Sequence, residues 1–546
     1  MQLERTLGNP YAHDYQLLIK NILNAPIYYD PNQEIVYRGE KRFTYATFKK
    51  RVHQLANMLT SMGVKAGDTV AVMDYDSHRY LECYFAIPML GAILHTINIR
   101  LSPEQILYTI DHAEDDVILA HTDFLPTLEQ IKGRLDVQSF IVLADDEKVP
   151  STTLDIKGEY EALLSQHVDV FDFPDFNENT RATTFYTTGT TGLPKGVYFT
   201  HRQLVLHTLG VLSTLGSAPQ QGNFQQGDVY MPITPMFHVH AWGLPYVATM
   251  LGVKQVYPGR YIPDLLLDLI DKEKVTFSHC VPTIMHMLFN SPKIHDVNLK
   301  GWKVIIGGAA LPKAMCKEAL KKGIDMFTGY GMSETCPILS LAQLTPEMLE
   351  LDDDAQSDIR IKTGRPMGLV EIKVVDEKMQ ALPKDGMSTG EIVVRSPWLT
   401  QGYFKDQKNS EILWQGGYLH TGDMANMDER GYIKITDRVK DIIKVGGEWV
   451  SSLELEDIIH QHPSVKEVAV IGIEDEKWGE RPLALVVLDS TKPTNEKELL
   501  IHAKEFIKKG IMAREGMLLK IKCVESIDKT SVGKINKKEL RKKYAF

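Results

Sequence analysis

A short run rich in threonine and glycine carries the strongest chemical signal in this sequence. Residues 186–196 read Tyr-Thr-Thr-Gly-Thr-Thr-Gly-Leu-Pro-Lys-Gly, with four threonines, three glycines, one lysine and no acidic side chain. Glycines let successive backbone amides converge on an anion, while the threonine hydroxyls and Lys195 add donors and a positive charge. We therefore predict a polyphosphate-binding loop; a flexible, solvated turn of the same composition is the alternative.

The spacing separates this loop from the P-loop of nucleoside triphosphatases. That motif has four residues between its glycines and a Lys-Ser or Lys-Thr pair directly after the second glycine. Here Gly189 and Gly192 are three positions apart, and Lys195 follows Leu-Pro. The spacing therefore disfavours a P-loop NTPase.

Two further stretches place aromatic or small residues directly after predicted buried strands. The strand predicted over 229–234 is followed by two histidines between Phe237 and Trp242. The carboxyl edge of an open α/β sheet is where such sheets bind ligands, so a pocket wall is favoured over structural histidines. The strand over 304–306 is followed by Gly-Gly-Ala-Ala-Leu-Pro, which permits close approach of a purine; tight helix–strand packing explains it equally well.

Three polar segments further along the chain are candidates for binding the same ligand. In Thr328–Thr335 two glycines flank a tyrosine, and Glu334 stands between two hydroxyl residues. Such a carboxylate suits Mg²⁺ among phosphates, with a helix N-terminal cap as the alternative. Asp437–Asp441 is an exposed charged cluster, and the small-residue loop 529–535 presents Lys534, for which a solvated role is the alternative.

The elements that must position these residues alternate between strand and helix in the first part of the chain. Alternation of this kind predicts parallel sheets covered on both faces. We predict a helix over 43–62 and a buried helix over 80–94, interrupted near Pro88. Further predicted strands cover 69–73, 117–120, 139–143 and 183–187.

The pattern changes towards the C-terminus. Alternating apolar residues over 372–394, with a turn at Asp385-Gly386, predict antiparallel strands. Beyond the charged cluster we predict a small α/β domain of roughly a hundred residues. Its predicted elements are the helix 452–460, the strands 468–473 and 483–488, and the helix 496–509.

Composition narrows the class of protein. At 546 residues the chain is too long for a single hydrophobic core, so we predict two or more domains. Its 43% hydrophobic and 24% charged residues are ordinary for a soluble enzyme. The net charge of −10 gives no support to nucleic-acid binding. Five scattered cysteines, no signal-peptide pattern and no apolar run of about 18 residues lead us to expect a cytoplasmic protein without a transmembrane segment.

Taken together in their order and spacing, these motifs resemble the adenylate-forming superfamily, over nearly the whole chain. The threonine-glycine loop matches its characteristic loop, and Tyr330–Thr335, Thr421–Asp423, Asp437–Asp441 with Lys444, Gly446–Trp449 and Lys534 match its other core motifs in order. Within it, residues 236–242 and 446–452 are most similar to bacterial medium- and long-chain fatty-acyl-CoA synthetases, with methylmercaptopropionate-CoA ligases as near relatives.

The resemblance implies an α/β fold, a reaction and its co-substrates. The expected fold is a large N-terminal domain of two α/β subdomains plus a distorted β-barrel, and a small mobile C-terminal α+β domain. The expected boundaries are 1–436 for the large domain, 437–441 for the hinge, which includes Lys440, and 442–546 for the small domain. The expected reaction forms acyl-AMP from a carboxylic acid and ATP, with Mg²⁺ and release of pyrophosphate, and then transfers the acyl group to CoA.

The resemblance also implies roles for individual residues. The catalytic set is Lys534, which would bridge carboxylate and α-phosphate, with Glu334, His238 and Lys195. Mg²⁺ would be bound by Thr191 and Glu334. The implied ATP or AMP site comprises Thr187, Thr188, Gly189, Thr190, Thr191, Gly192, Lys195, Val239, Gly308, Thr328, Gly329, Tyr330, Ser333, Asp423, Arg438, Lys440, Lys444 and Trp449. The implied acyl pocket comprises Phe237, Trp242, Cys280, Val281, Pro282 and Met332, and the implied CoA face comprises Gly446, Gly447 and Glu448.

Three matters stay open at the level of sequence. The acid is expected to be a medium- to long-chain fatty acid, but a short thioether, branched or aromatic acid fits the same motifs. A pseudoenzyme that holds acyl-AMP without turnover is the alternative from another class, and the presence of Lys195, Glu334, Asp423, Arg438 and Lys534 argues against it. Members of this group are often homodimers, so a homodimer is a further expectation.

Overall fold

The computed structural model of the chain describes residue 9 and residues 11–187, 193–445, 448–489, 491–508, 514–529 and 535–544. Within the short elements at 448–450, 496–508 and 514–518, the side chains of 448, 449, 507, 508, 514 and 515 are not described. Eight of the predicted site residues lie outside the described part: Thr188, Gly189, Thr190, Thr191, Gly192, Gly446, Gly447 and Lys534.

The strands, in chain order, are β1 (Glu34–Tyr37), β2 (Lys41–Thr44), β3 (Thr69–Met73), β4 (Ile93–Thr96), β5 (Asp115–His121), β6 (Ser139–Leu143), β7 (Ile156–Glu159), β8 (Arg181–Tyr186), β9 (Gly196–Thr200), β10 (Val229–Pro232), β11 (Lys254–Tyr257), β12 (Phe277–Cys280), β13 (Lys303–Ile306), β14 (Asp325–Gly331), β15 (Ile338–Leu341), β16 (Arg365–Pro366), β17 (Glu371–Val375), β18 (Gly390–Arg395), β19 (Leu419–Met427), β20 (Ile433–Arg438), β21 (Ile443–Val445), β22 (Glu448–Val450), β23 (Val465–Asp475), β24 (Gly479–Leu488) and β25 (Lys520–Cys523).

The α-helices are α1 (Lys20–Tyr29), α2 (Tyr45–Ser61), α3 (His78–Met89), α4 (Pro103–Ala113), α5 (Leu125–Ile131), α6 (Tyr160–Leu164), α7 (His201–Gly216), α8 (Val239–Trp242), α9 (Leu244–Leu251), α10 (Pro263–Glu273), α11 (Pro282–Phe289), α12 (Lys313–Lys321), α13 (Pro346–Leu349), α14 (Asp353–Arg360), α15 (Gln407–Leu413), α16 (Ser452–His460), α17 (Glu496–Lys508) and α18 (Lys537–Tyr544). Short 3₁₀ turns cover Thr122–Phe124, Lys132–Arg134, Pro292–His295, Ser333–Thr335, Gln415–Gly417 and Arg514–Leu518.

Two large sheets form the body of the N-terminal region, as the alternation of strands and helices predicts. One sheet has the order β7-β6-β5-β3-β4-β8-β9 and is parallel except for the β8–β9 pair. The other has the order β16-β15-β14-β13-β12-β10-β11-β1-β2. It is parallel from β14 to β1 and antiparallel at both ends, so both sheets are mixed.

The two sheets share one layer of helices. Helices α2, α3, α7 and α9 contribute buried residues such as Phe48, Tyr84, Leu204 and Tyr246 to a core cluster that also contains side chains of both sheets. Helices α4 and α5 cover the outer face of the first sheet, and α10, α11 and α12 cover that of the second. Covering both faces of a parallel sheet explains why strands such as β3 are buried at every residue.

The remaining strands form two smaller sheets. One is the four-stranded antiparallel sheet β17-β18-β19-β20, which includes the antiparallel strands predicted over 372–394. The C-terminal part of the chain forms the sheet β22-β21-β24-β23, with β25 parallel to β24, and packs α16 and α17 against it. This is the large-plus-small α/β architecture expected from the sequence.

One predicted element differs from the structure. The helix predicted over 80–94 begins at His78, ends at Met89 and is followed by the strand β4. Every residue of both elements is buried. Because no solvent-exposed face imposes a periodic pattern of polar residues, the sequence does not show where the helix ends and the strand begins. Within the described part of the chain, no helix combines the length and the apolar character that a membrane span needs.

Candidate active site

The threonine-glycine loop connects two antiparallel strands at one end of the first sheet. Tyr186 at the end of β8 pairs with Gly196 at the start of β9, and the Thr187 amide donates a hydrogen bond to the Lys195 carbonyl at 2.9 Å. The base of the loop is therefore fixed by a β-ladder. A Cβ at residue 196 would lie 3.1 Å from Phe404 Cβ and 3.2 Å from the Tyr186 ring, so glycine allows this close packing.

Tyr403 joins the base of this loop to Glu334. The Tyr403 hydroxyl donates to Glu334 Oε1 at 2.7 Å, and Lys195 Nζ lies 4.6 Å from the centre of the Tyr403 ring. The Phe404 amide donates to the Gly196 carbonyl at 2.8 Å, and the Thr400 amide donates to the Glu334 carbonyl at 3.0 Å. Burial, with Glu334 as a second cause, raises the pKa of Tyr403, which keeps its hydroxyl protonated as a donor.

The surroundings of Glu334 suit a magnesium ion held mainly by phosphate. Glu334 is buried in the 3₁₀ turn Ser333–Thr335, and its described side-chain hydrogen bond uses only one of its two carboxylate oxygens. Within the described residues, no group of three or more His, Cys, Asp or Glu side chains is placed to hold a metal ion. Mg²⁺ in nucleotide sites uses one or two protein carboxylates and fills its shell with phosphate oxygens and water, so a single carboxylate fits.

A second polar cluster stands where the second sheet meets the four-stranded sheet. The Tyr330 hydroxyl, on β14, donates to Asp423 Oδ2 at 2.8 Å. Arg438 is the cross-strand neighbour of Asp423, and its Nε lies 3.1 Å from Asp423 Oδ1. Asp423 is 5% exposed, and two donors orient its carboxylate. A fixed carboxylate of this kind can accept hydrogen bonds from neighbouring sugar hydroxyls.

The ends of β13 and β14 provide further groups for a nucleotide. Thr328 is buried, and its hydroxyl has no hydrogen-bond partner in the described structure. A buried, unpaired hydroxyl is costly and marks a position where a ligand can supply the partner. Gly308 follows β13 with a φ of +77°, a backbone conformation that glycine adopts without strain. The donor set therefore fits ATP as a ligand.

The backbone after β10 adopts an uncommon conformation. Val239, His240, Ala241 and Trp242 have φ values of 48°, 55°, 46° and 59°, so they form a left-handed turn that ends at Gly243. Left-handed helical geometry costs L-residues roughly 1–2 kcal/mol each. Tertiary contacts must hold this turn, because strained backbone persists only where its surroundings enforce it.

Three hydrogen bonds fix the residues immediately before the turn. The Met236 amide donates to Asp76 Oδ1 at 2.8 Å, the Met236 carbonyl accepts from the Tyr84 hydroxyl, and the Phe237 carbonyl accepts from the Thr96 hydroxyl at 2.9 Å. Thr96 belongs to β4 and Tyr84 to α3, and Asp76 lies in the loop between β3 and α3, so the turn is anchored across the junction of the two sheets. Burial raises the pKa of Asp76 to about 7.

A small cavity of about 60 Å³ opens beside this turn. His238 and Trp242 line it together with Val281 and Gly308, so the structure brings four of the predicted site residues to one space. Its other lining residues are Arg100, Ile233, Thr234, Pro235, Tyr261, Thr283 and Ile284. Ligand pockets are typically several hundred Å³, so the cavity is closed to a large ligand in this conformation.

The Trp242 indole packs against the carboxyl ends of β12 and β13. Its ring centre lies 5.0 Å from that of His279, and a Cβ at residue 307 would come within 2.9 Å of its Cη2 atom. Gly307 is therefore explained by tight packing against the indole and against the Gly329 carbonyl oxygen, which a Cβ would also approach to 2.9 Å. Gly308, by contrast, borders the cavity.

The other residues predicted for the acyl pocket are not among those that line the cavity. The Cys280 side chain belongs to the core cluster on the outer face of the second sheet, because it alternates with His279 along β12. Phe237 is buried, with the Arg100 guanidinium 5.9 Å from its ring centre, and Pro282 begins α11. Met332 is half-buried and packs against the core cluster between the sheets.

From residue 440 onwards, the predicted site residues with described side chains are Lys440 and Lys444. Lys444 on β21 pairs with Trp449 of β22 and lies beside Glu377 and Glu480 at a separate surface cavity. Lys440 lies in the turn after β20, where burial, followed by the Arg438 charge, lowers its pKa. The side chains of Glu448 and Trp449 lie outside the described part of the structure.

Several residues of the site were not identified from the sequence. Tyr403 holds Glu334, while Arg100 and Tyr261 line the cavity and His279 contacts Trp242. Tyr403 follows a glycine in Gly402-Tyr403-Phe404, and His279 is a histidine within an apolar strand. Both patterns in the sequence could have marked these residues as candidates. Arg100 and Tyr261 come from loops, whose positions depend on tertiary packing.

Comparison with known proteins agrees with this geometry. The profile of the AMP-binding enzyme family matches residues 26–404, and that of the AMP-binding enzyme C-terminal domain matches residues 454–534. A long-chain-fatty-acid–CoA ligase of Thermus thermophilus is 41% identical over 520 residues, covering 94% of this chain and 93% of the relative. A 3-methylmercaptopropionyl-CoA ligase of Ruegeria pomeroyi is 35% identical over 539 residues, covering 97% of each chain.

The fold is also that of solved enzyme structures. The crystal structure of the anthranilate CoA ligase AuaEII in complex with anthranoyl-AMP matches with a TM-score of 0.84 and 24% identity, covering 97% of this chain and 98% of that one. The chain therefore belongs to the AMP-binding enzyme family. Within that family it is an acyl-CoA ligase, which uses ATP, Mg²⁺ and CoA to form an acyl adenylate and then an acyl-CoA.

Proposed function

We propose that this acyl-CoA ligase acts on medium- to long-chain fatty acids. The observation that carries the proposal is the mainly apolar space beside His238 and Trp242, at the same sheet edge as the Glu334 and Asp423 clusters. The 41% identity to a long-chain-fatty-acid–CoA ligase supports it. Apolar lining favours an alkyl chain, and the neighbouring donors favour the carboxylate and the phosphates.

The first half-reaction faces electrostatic repulsion between the carboxylate and ATP. Two unit charges about 4 Å apart repel by about 4 kcal/mol at an effective dielectric near 20, and ATP carries several charges. Cations and oriented donors must offset this repulsion. We assign that task to Lys195 and the loop 187–195 at the β- and γ-phosphates, to Glu334 and Thr191 as the ligands that would hold Mg²⁺, and to Lys534 at the α-phosphate.

The nucleoside would be held by the second polar cluster. Asp423 would accept hydrogen bonds from the ribose hydroxyls, with Arg438 assisting at the ribose or phosphate, while Tyr330 orients the Asp423 carboxylate. Gly308, Thr328 and Gly329 would line the adenine. His238 would stand where the acyl space meets the nucleotide, and Trp242 would close that space between turnovers.

The boundaries of the domains belong to the same proposal. Strand β20 ends at Arg438 and is followed by a turn over 439–441, within the proposed hinge 437–441. The Asp437 carboxylate accepts hydrogen bonds from the Ser452 amide at 2.6 Å and the Ser452 hydroxyl at 3.0 Å. These bonds cross Lys440 and join the end of β20 to the start of α16, so a rotation of the small domain at Lys440 would have to break them. We further propose a cytoplasmic homodimer, as in related enzymes.

A short thioether acid is the second candidate substrate. The cavity of about 60 Å³ admits only a small group unless Trp242 moves, and one relative is a 3-methylmercaptopropionyl-CoA ligase. In this alternative Trp242 would be a fixed wall. The two candidates therefore differ in whether the indole is displaced.

A panel of carboxylic acids tests the proposal. We expect ATP-dependent release of pyrophosphate with saturated acids of about 8 to 16 carbons, because burial of each methylene group against the apolar lining is favourable. We expect CoA-dependent release of AMP with the same acids. Rates would be measured with and without CoA for saturated, thioether, branched and aromatic acids. A maximum at the short thioether acid would favour the second candidate. If none of the acids supported pyrophosphate release, both candidates would be contradicted.

Truncation of Trp242 tests its role as a wall of the acyl space. In Trp242→Ala the indole no longer fills the space beside His279 and Gly307, so we expect kcat/KM for branched or aromatic acids to rise about tenfold. The KM for ATP should change little. The matched control is Trp478→Ala, which removes a partly exposed indole from the small domain. An unchanged acid preference in Trp242→Ala would contradict the role.

A further inference from the structure

His279 is a buried polar side chain whose ring contacts Trp242, a residue that lines the proposed acyl space. It lies on β12, is fully buried and faces the same side of the sheet as Phe277, towards the core between the two sheets. Its carbonyl accepts hydrogen bonds from the Ile233 amide at 3.2 Å and the Thr234 hydroxyl at 3.3 Å, and both of these residues line the cavity. The described ring contacts of His279 are with the Trp242 indole, 5.0 Å between ring centres, and with the stacked Tyr230 ring, 5.8 Å between ring centres.

One ring nitrogen of His279 has a partner and the other has none. Nε2 lies 2.8 Å from the Tyr230 hydroxyl, whereas Nδ1 is buried without a hydrogen-bond partner in the described structure. Burial lowers the pKa of His279 to about 3, so the ring is neutral and carries a single N–H.

The position of that proton follows from counting unpaired groups. If Nε2–H donated to Tyr230, both the Tyr230 hydroxyl proton and Nδ1 would be buried without partners. If the Tyr230 hydroxyl donates to Nε2, the single unpaired donor is Nδ1–H. Because each buried, unpaired polar group is destabilising, the second arrangement is favoured. His279, whose ring contacts the indole, then offers one unpaired N–H donor.

We propose that His279 is a specificity-determining residue, which donates a hydrogen bond from Nδ1 to an oxygen atom within the acyl chain once the Trp242 indole has moved. The inference rests on the proposed function, because it requires an acyl chain in this space. It extends the substrate class from plain fatty acids to acids with a hydroxyl, ether or oxo group at one position of the chain. A purely alkyl chain would leave the Nδ1–H donor unpaired.

An oxygen scan along the acyl chain tests the inference. Saturated acids of one length would be compared with ether acids in which a single CH₂ is replaced by oxygen at successive positions, by ATP-dependent pyrophosphate release. We expect one oxygen position to raise kcat/KM about tenfold over the alkyl acid, the effect of roughly one hydrogen bond, while the other positions lower it. No preferred position would overturn the inference.

Two variants separate a hydrogen-bonding role from a structural one. His279→Asn keeps a donor near the position of Nδ1, whereas His279→Gln places its amide near Nε2 and keeps only the Tyr230 contact. We expect the preference for the oxygen position to survive in His279→Asn and to disappear in His279→Gln. Equal loss in both variants, or none in His279→Gln, would overturn the inference.

A distant buried histidine provides the control. His201 is fully buried, accepts a hydrogen bond from the Ile19 amide and likewise has an unpaired ring nitrogen. His201→Gln should leave the oxygen preference of the enzyme unchanged. If the unaltered enzyme released pyrophosphate with none of the acids, the proposed function would be contradicted instead. Failure of the proposed function is therefore distinguishable from failure of this inference.

Discussion

Replacing Lys534 by alanine is expected to lower ATP-dependent pyrophosphate release on the order of 10²- to 10³-fold. Its positive charge is proposed to meet the carboxylate and the α-phosphate only in the adenylation step. The thiol step from preformed acyl-AMP should therefore proceed at a nearly unchanged rate. Pyrophosphate release would be measured with the acid and ATP, and acyl-CoA formation with synthetic acyl-AMP and CoA.

The surroundings of Lys534 provide a matched control. Lys529 is a described lysine close to Lys534 in the sequence; it forms an antiparallel bridge with Ile535, and the Asn536 amide donates to the Asp528 carbonyl at 2.8 Å. Lys529 Nζ lies 2.9 Å from a carboxylate oxygen of Glu467. Lys529→Ala should leave both half-reactions close to normal, because exposed ion pairs contribute little. Equal loss of both steps in Lys534→Ala would show that the division of roles is wrong.

The substitution Glu334→Gln is expected to lower pyrophosphate release on the order of 10²-fold. The amide preserves the size of the side chain and can still accept the hydrogen bond from Tyr403, but it no longer offers a negative charge to Mg²⁺. The concentration of Mg²⁺ required for half-maximal rate should rise as well. Initial rates would be measured across a series of Mg²⁺ concentrations at fixed ATP and acid.

A second tyrosine–glutamate pair in the chain serves as the control for Glu334. On the four-stranded sheet, the Tyr418 hydroxyl donates to Glu371 Oε1 at 2.7 Å, the same distance as in the Tyr403–Glu334 pair. Glu371→Gln should leave both the rate and the Mg²⁺ requirement unchanged. If Glu334→Gln reduced the rate without altering the Mg²⁺ requirement, the carboxylate would not be the metal ligand.

Both predictions concern one reaction, and they distinguish the contribution of the Lys534 ammonium from that of the Mg²⁺ ion that Glu334 is proposed to bind. Lys534 is proposed to arrive with the small domain, whereas Glu334 is fixed in the large domain by Tyr403 and Thr400. Loss of the mobile cation should affect adenylation alone. Loss of the fixed carboxylate should change how Mg²⁺ and ATP are bound together, and so should alter the metal dependence.

The sequence by itself determined the parallel sheets and the order of the motifs. The strands predicted over 69–73 and 139–143 are β3 and β6, and the helix predicted over 452–460 is α16. These elements have a strict period or an uninterrupted apolar run between turn residues, so local physics defines them. The boundary between α3 and β4 was not predicted, because both elements are buried at every residue and the sequence there shows no hydrophobic periodicity.

Only the tertiary structure decided which side chains meet. Tyr403 reaches Glu334 from 69 residues away, and Tyr330 reaches Asp423 from 93 residues away. The left-handed turn at 239–242 opposes the local preference of L-residues, so no local pattern predicts it. It places Trp242 against Gly307 and His279, and thereby sets the size of the cavity. Local pattern specifies strands and helices, whereas long-range packing selects the partners of each site residue.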